Sequence, residues 1–469
     1  MKKLYQVSPV WMQQLGINAY GWYWKKRRLG QEFETVWRAY AERESWSADR
    51  LREYVEAQLR QQLQRAFSQV PYYQRVFRQC GLDAASLRNF TLEDLARLPV
   101  LEKSELRETP TICLTTSAAR KPPMQLYTSG STGTPITVFM DREMHQHTLG
   151  VREARSFRWA GVSLRESRAT FGAKPIVPLS ATQGPYWRYN VWEHQVYFSI
   201  YHIRADRVED YAAALNRYQP TTIVGFPSAL GTLAHFFAEK GIAVYRPRAI
   251  IMTSEPLDMH TREKIEQVFG CRCYQEYSSV ENCFLATECE RGQLHVSVDF
   301  GYLEILRPDG SPCPRGEVGE IVATGFANKN QLFIRYRVGD YAAWSGTPCA
   351  CGRSALPTLE GLIGRVEDVL LLPDGRSLFR ADTIFKQLPG IQMGQIVQTA
   401  LDTVEIKIVP AKEFDPSVEG ELRRRFQELA GAGMKVAVTC VSEISRERSG
   451  KIRAVVNLVR RNGGLKRSE

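Results

Sequence analysis

Nine residues, Tyr127 to Pro135 (YTSGSTGTP), hold two glycines, three threonines and two serines. Glycine lets a backbone approach an anion closely, and hydroxyls with free N–H groups donate to phosphate oxygens. The pattern predicts a phosphate-binding loop at Thr128, Ser129, Gly130, Ser131, Thr132 and Gly133. It is not a Walker A loop, because the Gly-Lys-Ser/Thr ending is absent and a strand follows it. A second constellation is built on sulfur. Cys289 and His295 lie six apart, and Cys349 and Cys351 flank a single residue. Three thiolates and one imidazole suit a closed, structural, tetrahedral Zn²⁺ site. The Cys-x-Cys spacing is tighter than the usual two to four residues, so four unrelated reduced side chains remain the alternative. Cys271 and Cys273 form another such pair, but on a predicted strand they face one side, which favours core packing.

The elements that must hold these residues follow from periodicity. Residues 31–110 read helical, with apolar positions three and four apart from Phe33 to Ala41 and from Leu51 to Val70. Pro71 is expected to stop the second stretch, and a short helix opens at Thr91. Two strands flank the Ser/Thr/Gly turn, and a helix runs from Arg142 to Ala160. From Asp206 to Tyr277, strands and helices alternate, which predicts a mainly parallel sheet covered by helices. Residues 293–345 change to short strands and turns, an antiparallel β appendage. After Gly364 come a hairpin with a Pro-Asp-Gly turn, a second hairpin, a helix over Val418–Ala430 and a strand over Lys435–Val441. The predicted class is therefore α/β: a helical region (1–120) packed on a large domain (121–364, β/zinc appendage at about 289–352), then a small mobile α+β domain (365–469).

Composition excludes several classes. No apolar run approaches the roughly 20 residues that span a bilayer, and no secretory h-region opens the chain. A cytoplasmic enzyme is expected, with ten reduced cysteines rather than a disulfide framework. No nucleic-acid-binding motif is visible. The net charge of +11 is uneven: residues 1–30 hold Lys2, Lys3, Lys25, Lys26, Arg27 and Arg28 with no acid, beside six aromatics. Two readings stand: a peripheral contact with an anionic membrane or polymer, and the preferred one, a basic helical arm whose aromatics pack on the body.

Beyond the loop, five further blocks occur in a fixed order: Thr253–Leu257 (TSEPL), Glu276–Glu281 (EYSSVE), Ile334–Asp340 (IRYRVGD), Gly361–Leu370 (GLIGRVEDVL) and Arg448–Val455 (RSGKIRAV). Together with the loop they resemble the adenylate-forming superfamily, and from about 50 to about 458 the chain looks most like its phenylacetate–CoA ligase and CapK-like branch. The resemblance implies nucleotide contacts at Ser254, Glu255, Glu276, Ser278 and Ser279, stacking of Tyr277 on adenine, Mg²⁺ at Glu281, ribose at Asp340, a hinge at Glu367 and catalysis by Lys451. Arg365, just before the hinge, is placed to reach ribose or phosphate. It also implies ATP, Mg²⁺ and coenzyme A as reactants and supports zinc at the Cys/His set.

These roles agree with the chemistry of the residues. Asp340 is acceptor-only and suits two vicinal hydroxyls. Glu281 is a hard oxygen ligand. A lysine at position 451 would stabilise charge that builds on the α-phosphate during attack by a carboxylate. The chain departs from the pattern where many relatives carry a loop lysine, near Thr134 or Ile136, and where Ser278 replaces the usual glycine. The expected function is acyl-AMP formation from a small carboxylic acid, then acyl transfer to a thiol of CoA or a carrier protein, or to an amine. A non-catalytic nucleotide-binding scaffold is the remaining alternative. Gly225, Phe226, Pro227 and Ser228 are the expected acid pocket, with Tyr186, Trp187 and Phe198 favouring an apolar or aryl acid. A homodimer is compatible with the sequence.

Overall fold

The computed structural model describes residues 2–128, 136–365, 370–373, 377–378, 381–385, 388, 390–411, 413–446 and 452–459. Helices come first: α1 (Lys2–Val7), α2 (Val10–Arg28), α3 (Gln31–Arg43), α4 (Ala48–Gln69) and α5 (Pro71–Gln79). Ser47 caps α4, its hydroxyl accepting from the Arg50 N–H at 3.3 Å and satisfying a donor the helix leaves unpaired. Leu51, Val55, Leu59 and Leu63 then line one face, each at most 2% exposed. Their burial, on the order of 1.5–3 kcal/mol each, joins α4 to the main core. Pro71 does not end the helical run; it opens α5 at the first turn, where its missing N–H has no intrahelical partner to lose.

α6 (Lys103–Glu108) and α7 (Thr116–Arg120) lead to the hairpin β1 (Met124–Tyr127) and β2 (Thr137–Met140), in which Tyr127 pairs with Thr137. Thr128 closes its neck, accepting the Ile136 N–H on Oγ1 at 2.9 Å. The hairpin thus carries the predicted phosphate loop, but Ser129, Gly130, Ser131, Thr132 and Gly133 lie outside the described residues.

α8 (Arg142–Arg152) continues into a π-helical turn, Glu153–Phe157, rather than as one α-helix to 160. A sheet follows: β3 (Arg168–Gly172), β4 (Trp187–Asn190), β5 (Gln195–Ser199), β6 (Thr222–Gly225), β7 (Ala249–Thr253) and β8 (Cys273–Ser278), with α9 (Val208–Tyr218), α10 (Pro227–Lys240) and α11 (Met259–Phe269) between its later strands. β5, β3, β6, β7 and β8 are parallel neighbours. The chain then turns antiparallel through β9 (Leu285–Glu288), β10 (Leu294–Val296), β11 (Gly301–Leu306), β12 (Val318–Gly325), β13 (Tyr336–Trp344) and β14 (Thr358–Arg365). All twelve of β3–β14 form one sheet, ordered β11-β12-β13-β14-β10-β9-β8-β7-β6-β3-β5-β4. The predicted β appendage is therefore continuous with the parallel sheet. The physical reason is the open edge of β8, whose polar backbone is paired by β9, Glu276 opposite Thr287.

The second, smaller unit has β15 (Leu370–Leu371) and β16 (Ser377–Leu378) as a short hairpin, then β17 (Ile391–Ala400), β18 (Thr403–Pro410), α12 (Ser417–Ala430), β19 (Lys435–Cys440) and β20 (Val455–Asn457). Its sheet is ordered β19-β18-β17-β20. Ile396, Val404, Ile406, Ile408, Leu422 and Phe426 make a core of its own. Glu367 lies outside the described residues.

Candidate active site

The carboxyl ends of β7 and β8 open into a cavity of about 760 Å³, within the range of small-molecule sites. In α/β sheets ligands bind beyond the carboxyl ends of the strands, and the predicted blocks converge there. Thr128, Ser254, Glu255, Glu276, Tyr277, Ser278, Ser279, Glu281 and Asp340 all line it. Ser254 turns the chain off β7 at φ +72°, a left-handed conformation that an L-residue adopts at a cost of roughly 1–3 kcal/mol. Such strain persists where surrounding structure enforces it, here at the edge of the cavity.

Two hydrogen-bonded pairs organise the β8–β13 side. The Tyr277 hydroxyl donates to Asp340 Oδ2 at 2.7 Å, and the Tyr277 ring packs against Phe284 at 4.9 Å. The Tyr336 hydroxyl donates to Glu281 Oε1 at 2.6 Å. Tyr336 is fully buried and Glu281 is 5% exposed. Burial, and next the Glu281 carboxylate, raise the Tyr336 phenol well above its ordinary range, so it stays a donor. Asp340 sits opposite Arg365 in the β13–β14 register, which brings two predicted contacts side by side.

Glu276 is engaged from the opposite side. Arg152 Nε donates to it at 2.9 Å and Ser156 Oγ at 2.5 Å. Arg152 and Ser156 straddle the start of the π-helical turn, a device that recurs at functional sites. The same arginine donates to Asn282 Oδ1 at 3.2 Å.

The small unit reaches the cavity through Glu255. This carboxylate accepts from the Ser228 N–H (2.9 Å), the Ser228 hydroxyl (3.1 Å) and, across the units, the Ile452 N–H (3.1 Å). Arg446 Nη1 donates to Ser228 Oγ at 3.0 Å. Burial raises the Glu255 carboxyl from its ordinary value against the pull of these donors. Ile452 lines the cavity; Lys451, its neighbour, lies outside the described residues.

The residues expected to form the acid pocket do not line this cavity. Gly225, Phe226, Pro227 and Ser228 join β6 to α10 behind Glu255 and are not on the cavity wall. Phe226 is buried in the second core, and so are Phe198 and Tyr186, with Trp187 packed against them. Phe198 stacks on Phe171 at 4.5 Å. Among the side chains on the wall that no motif revealed, α8 supplies His145, Thr148, Leu149 and Arg152, at the spacing of one helical face. Lys174, just after β3, joins them, as do Lys103 and Arg107. A helix face pointing at solvent or at a ligand reads alike in sequence, so only the polar character of this face was available as a signal.

Residues 93–330, just over half of the chain, match the AMP-binding enzyme family. The chain belongs to that family. Residues 376–458 match the CapK C-terminal domain. Among curated relatives, protein CapK of Staphylococcus aureus is 22% identical over 398 residues, covering 83% of this chain and 85% of that protein. A phenylacetate-coenzyme A ligase of Thermus thermophilus is 24% identical over 461 residues, covering 89% and 98%. These place the chain in the adenylate-forming CapK and phenylacetate–CoA ligase-like branch. A 2-hydroxyisobutyryl-CoA ligase structure in the postadenylation state superposes with a TM-score of 0.70 at 20% identity, covering 89% of this chain and 91% of that one. The same ligase in the thioesterification state gives 0.57 at 21% identity.

The sulfur constellation also assembles. Cys289 follows β9, His295 lies on β10, and Cys349 and Cys351 lie between β13 and β14. Antiparallel pairing of β10 with β14, His295 opposite Thr358, draws the two halves together. All four donor atoms lie within 4.8 Å of one another. Cys289 Sγ is 3.6 Å from Cys349 Sγ, and Cys351 Sγ is 3.3 Å from His295 Nε2. Ligand distances in tetrahedral zinc sites imply separations of about 3.8 Å and about 3.5 Å, so the donor set fits the ion. His295 Nδ1 is 2.9 Å from the Leu356 carbonyl, which selects the Nδ1–H tautomer and leaves Nε2 for a metal. Cys273 is buried in the second core and Cys271 packs against it.

Proposed function

We propose that this chain joins a carboxylic acid to AMP and then hands the acyl group to the thiol of coenzyme A. A carboxylate oxygen attacks the α-phosphorus of ATP and pyrophosphate leaves. The thiolate sulfur then attacks the acyl carbon and AMP leaves. The observation that carries this reading is the convergence in one cavity of Tyr277–Asp340, Tyr336–Glu281 and Glu255–Ile452. Asp340 receives the ribose hydroxyls, Tyr277 supports the adenine, and Thr128 with Ser129, Gly130, Ser131, Thr132 and Gly133 cradles the phosphates. Glu281 would hold Mg²⁺: Tyr336 engages one of its oxygens and leaves the other for the ion, which offsets charge on the leaving pyrophosphate. Lys451 stabilises the charge that builds at the α-phosphate, acting by position rather than proton transfer. Zn²⁺ at Cys289, His295, Cys349 and Cys351 would be structural, tying the β9–β10 hairpin to the segment before β14.

The acid lies at the α8 side of the cavity. Asp340 on β13 and Lys174 after β3 stand on opposite sides of β8 and β7 in the strand order, so the ribose and acid ends are separate. His145 Nδ1 and Thr148 Oγ1 are buried there with no hydrogen-bond partner among the described residues. Burial, aided by Arg28 and Arg27, lowers the His145 imidazole to about 3, so it is neutral at pH 7. A neutral imidazole, a hydroxyl and an ammonium select an acid with a hydrogen-bonding substituent over a bare aryl acid.

ATP–pyrophosphate exchange over matched acids, with and without a hydroxyl or second polar group, tests both parts. Exchange with polar acids, followed by CoA-dependent AMP release, is expected. No exchange with any acid refutes acyl-AMP formation. Exchange that prefers apolar aryl acids refutes the polar pocket alone. Acyl transfer to an amine in place of CoA refutes the thiol step.

A further inference from the structure

Helix α2 is apolar on its outer side. Gln13, Ile17, Gly21 and Trp24 face the body and are buried. Arg188 Nε donates to Gln13 Oε1 at 3.1 Å. Gly21 lies so close to Asn190 that a Cβ there would meet its amide oxygen at 2.0 Å. The opposite face presents Trp11 (64% exposed), Leu15 (61%), Trp22 (45%) and Tyr23 (52%). Trp11, Leu15 and Trp22 fall on one stripe at helical spacing. Trp192 (43% exposed) extends it from the β4–β5 turn, which is pinned to α2 by the Val191 N–H donating to Asn18 Oδ1 at 3.0 Å. The sequence leaves two readings, aromatics packed on the body and an outward contact; Tyr5 and Trp24 pack inward, and Trp11, Trp22 and Tyr23 turn outward.

Charge completes the surface. Residues 1–30 hold six basic side chains and no acid. Arg27 turns inward to the Met140 carbonyl (3.0 Å) and Arg28 to Glu193 (3.7 Å). Lys25 and Lys26 stay exposed, and the Lys26 ammonium lies 4.1 Å from the centre of the Trp22 ring. We propose that the outer face of α2 docks on the surface of an anionic lipid bilayer. Tryptophan and tyrosine settle at the headgroup level, and lysine stems lie along the apolar stripe while their ammonium groups meet lipid phosphates. A second copy of the chain is the poorer occupant, because a two-fold contact sets the exposed Lys25 and Lys26 of this helix against their own copies with no acid on the helix to meet them. No described helix is long and apolar enough to cross a membrane, so the contact is peripheral. The inner face of the same helix backs the acid end of the cavity. Trp24 stands edge-on to His145 at 5.1 Å, and Lys174 Nζ donates to the Tyr20 hydroxyl at 3.2 Å. Docking therefore presents the acid pocket close to the bilayer surface.

Co-sedimentation of the full chain with vesicles of phosphatidylcholine, alone or mixed with phosphatidylglycerol, tests the inference. The chain should pellet with the anionic vesicles only. Trp11→Ser, Leu15→Ser and Trp22→Ser together should abolish pelleting and leave vesicle-free pyrophosphate exchange unchanged. Lys25→Glu with Lys26→Glu should lower the anionic-vesicle partition at least about tenfold. A measurement on the unaltered chain runs beside these: brominated phosphatidylglycerol should quench its tryptophan emission. Equal recovery in the supernatant with both vesicle types, or absence of quenching, overturns the proposal. So does light scattering that shows a dimer which the triple variant dissolves.

Discussion

Tyr336→Phe isolates the geometry proposed for the magnesium ligand. The substitution keeps the ring, which packs beside Phe333 at 5.2 Å, and deletes only the hydroxyl that donates to Glu281 at 2.6 Å. Tyr336 is fully buried and Glu281 is 5% exposed at the cavity wall, so water replaces the lost donor poorly. A hydrogen bond to a charged group is worth about 1.5–3 kcal/mol. That bond exists before and after metal binding, so most of its loss should appear as destabilisation. At about 1.3 °C per kcal/mol for a unit of more than 300 residues, the unfolding midpoint should fall by about 2–4 °C. The remainder reflects the aim of the free Glu281 oxygen. If about 0.7 kcal/mol of the loss is differential, the Mg²⁺ concentration giving half-maximal exchange rises about threefold. Saturating Mg²⁺ should restore the rate. The assay is pyrophosphate exchange against Mg²⁺ at fixed ATP, beside a thermal melt. A lowered melting midpoint with an unmoved Mg²⁺ curve would refute the reasoning: Tyr336 would then support the fold and have no part in aiming Glu281.

Three further expectations concern separate parts of the molecule. Lys451→Ala should reduce acyl-AMP formation by orders of magnitude while supplied acyl-AMP is still consumed with CoA; equal loss of both half-reactions contradicts the role. Metal analysis of the purified chain should give one zinc per chain, and Cys351→Ser should lower that content and the melting midpoint together; full zinc content in the variant removes the site. His145 has a folded value of about 3 and His147 about 4, both lowered chiefly by burial from an ordinary 6.5. A depressed folded value means that the unfolded chain binds the proton first, so stability is full above pH 6.5 and declines as pH falls towards 3–4. His145→Gln should lose less stability than the unaltered chain between pH 7 and pH 4; an identical pH slope shows that His145 is not held neutral.

Much of the cavity wall contributed by β7, β8 and β13 was readable in the residues. Ser254, Tyr277, Glu281 and Asp340 belong to compact blocks whose chemistry is local; the first three lie at or just beyond the ends of β7 and β8, and Asp340 lies within β13. The α8 wall, proposed to take the acid, was not. Tyr186, Trp187 and Phe198 suggested an aromatic pocket, yet aromatic residues on strands signal burial whether the neighbour is a ligand or a core, and here Phe171 and Tyr211 are the neighbours. His145, Thr148 and Lys174 carry no motif, because nothing local requires them. The helical arm was foreseen as an element, but not which of its faces would turn outward.

The sequence by itself determined the alternation of strand and helix, the order of the nucleotide blocks and the set of four metal-type donors, because these depend on periodicity and residue chemistry within short windows. The tertiary structure decided which of those windows meet. It set Tyr336 on Glu281 and Arg152 on Glu276, joined the two sulfur pairs through β10 and β14, and left the apolar stripe of α2 uncovered. Such pairings span tens to hundreds of residues. They depend on which faces the whole chain can bury at once, a choice that no local pattern encodes.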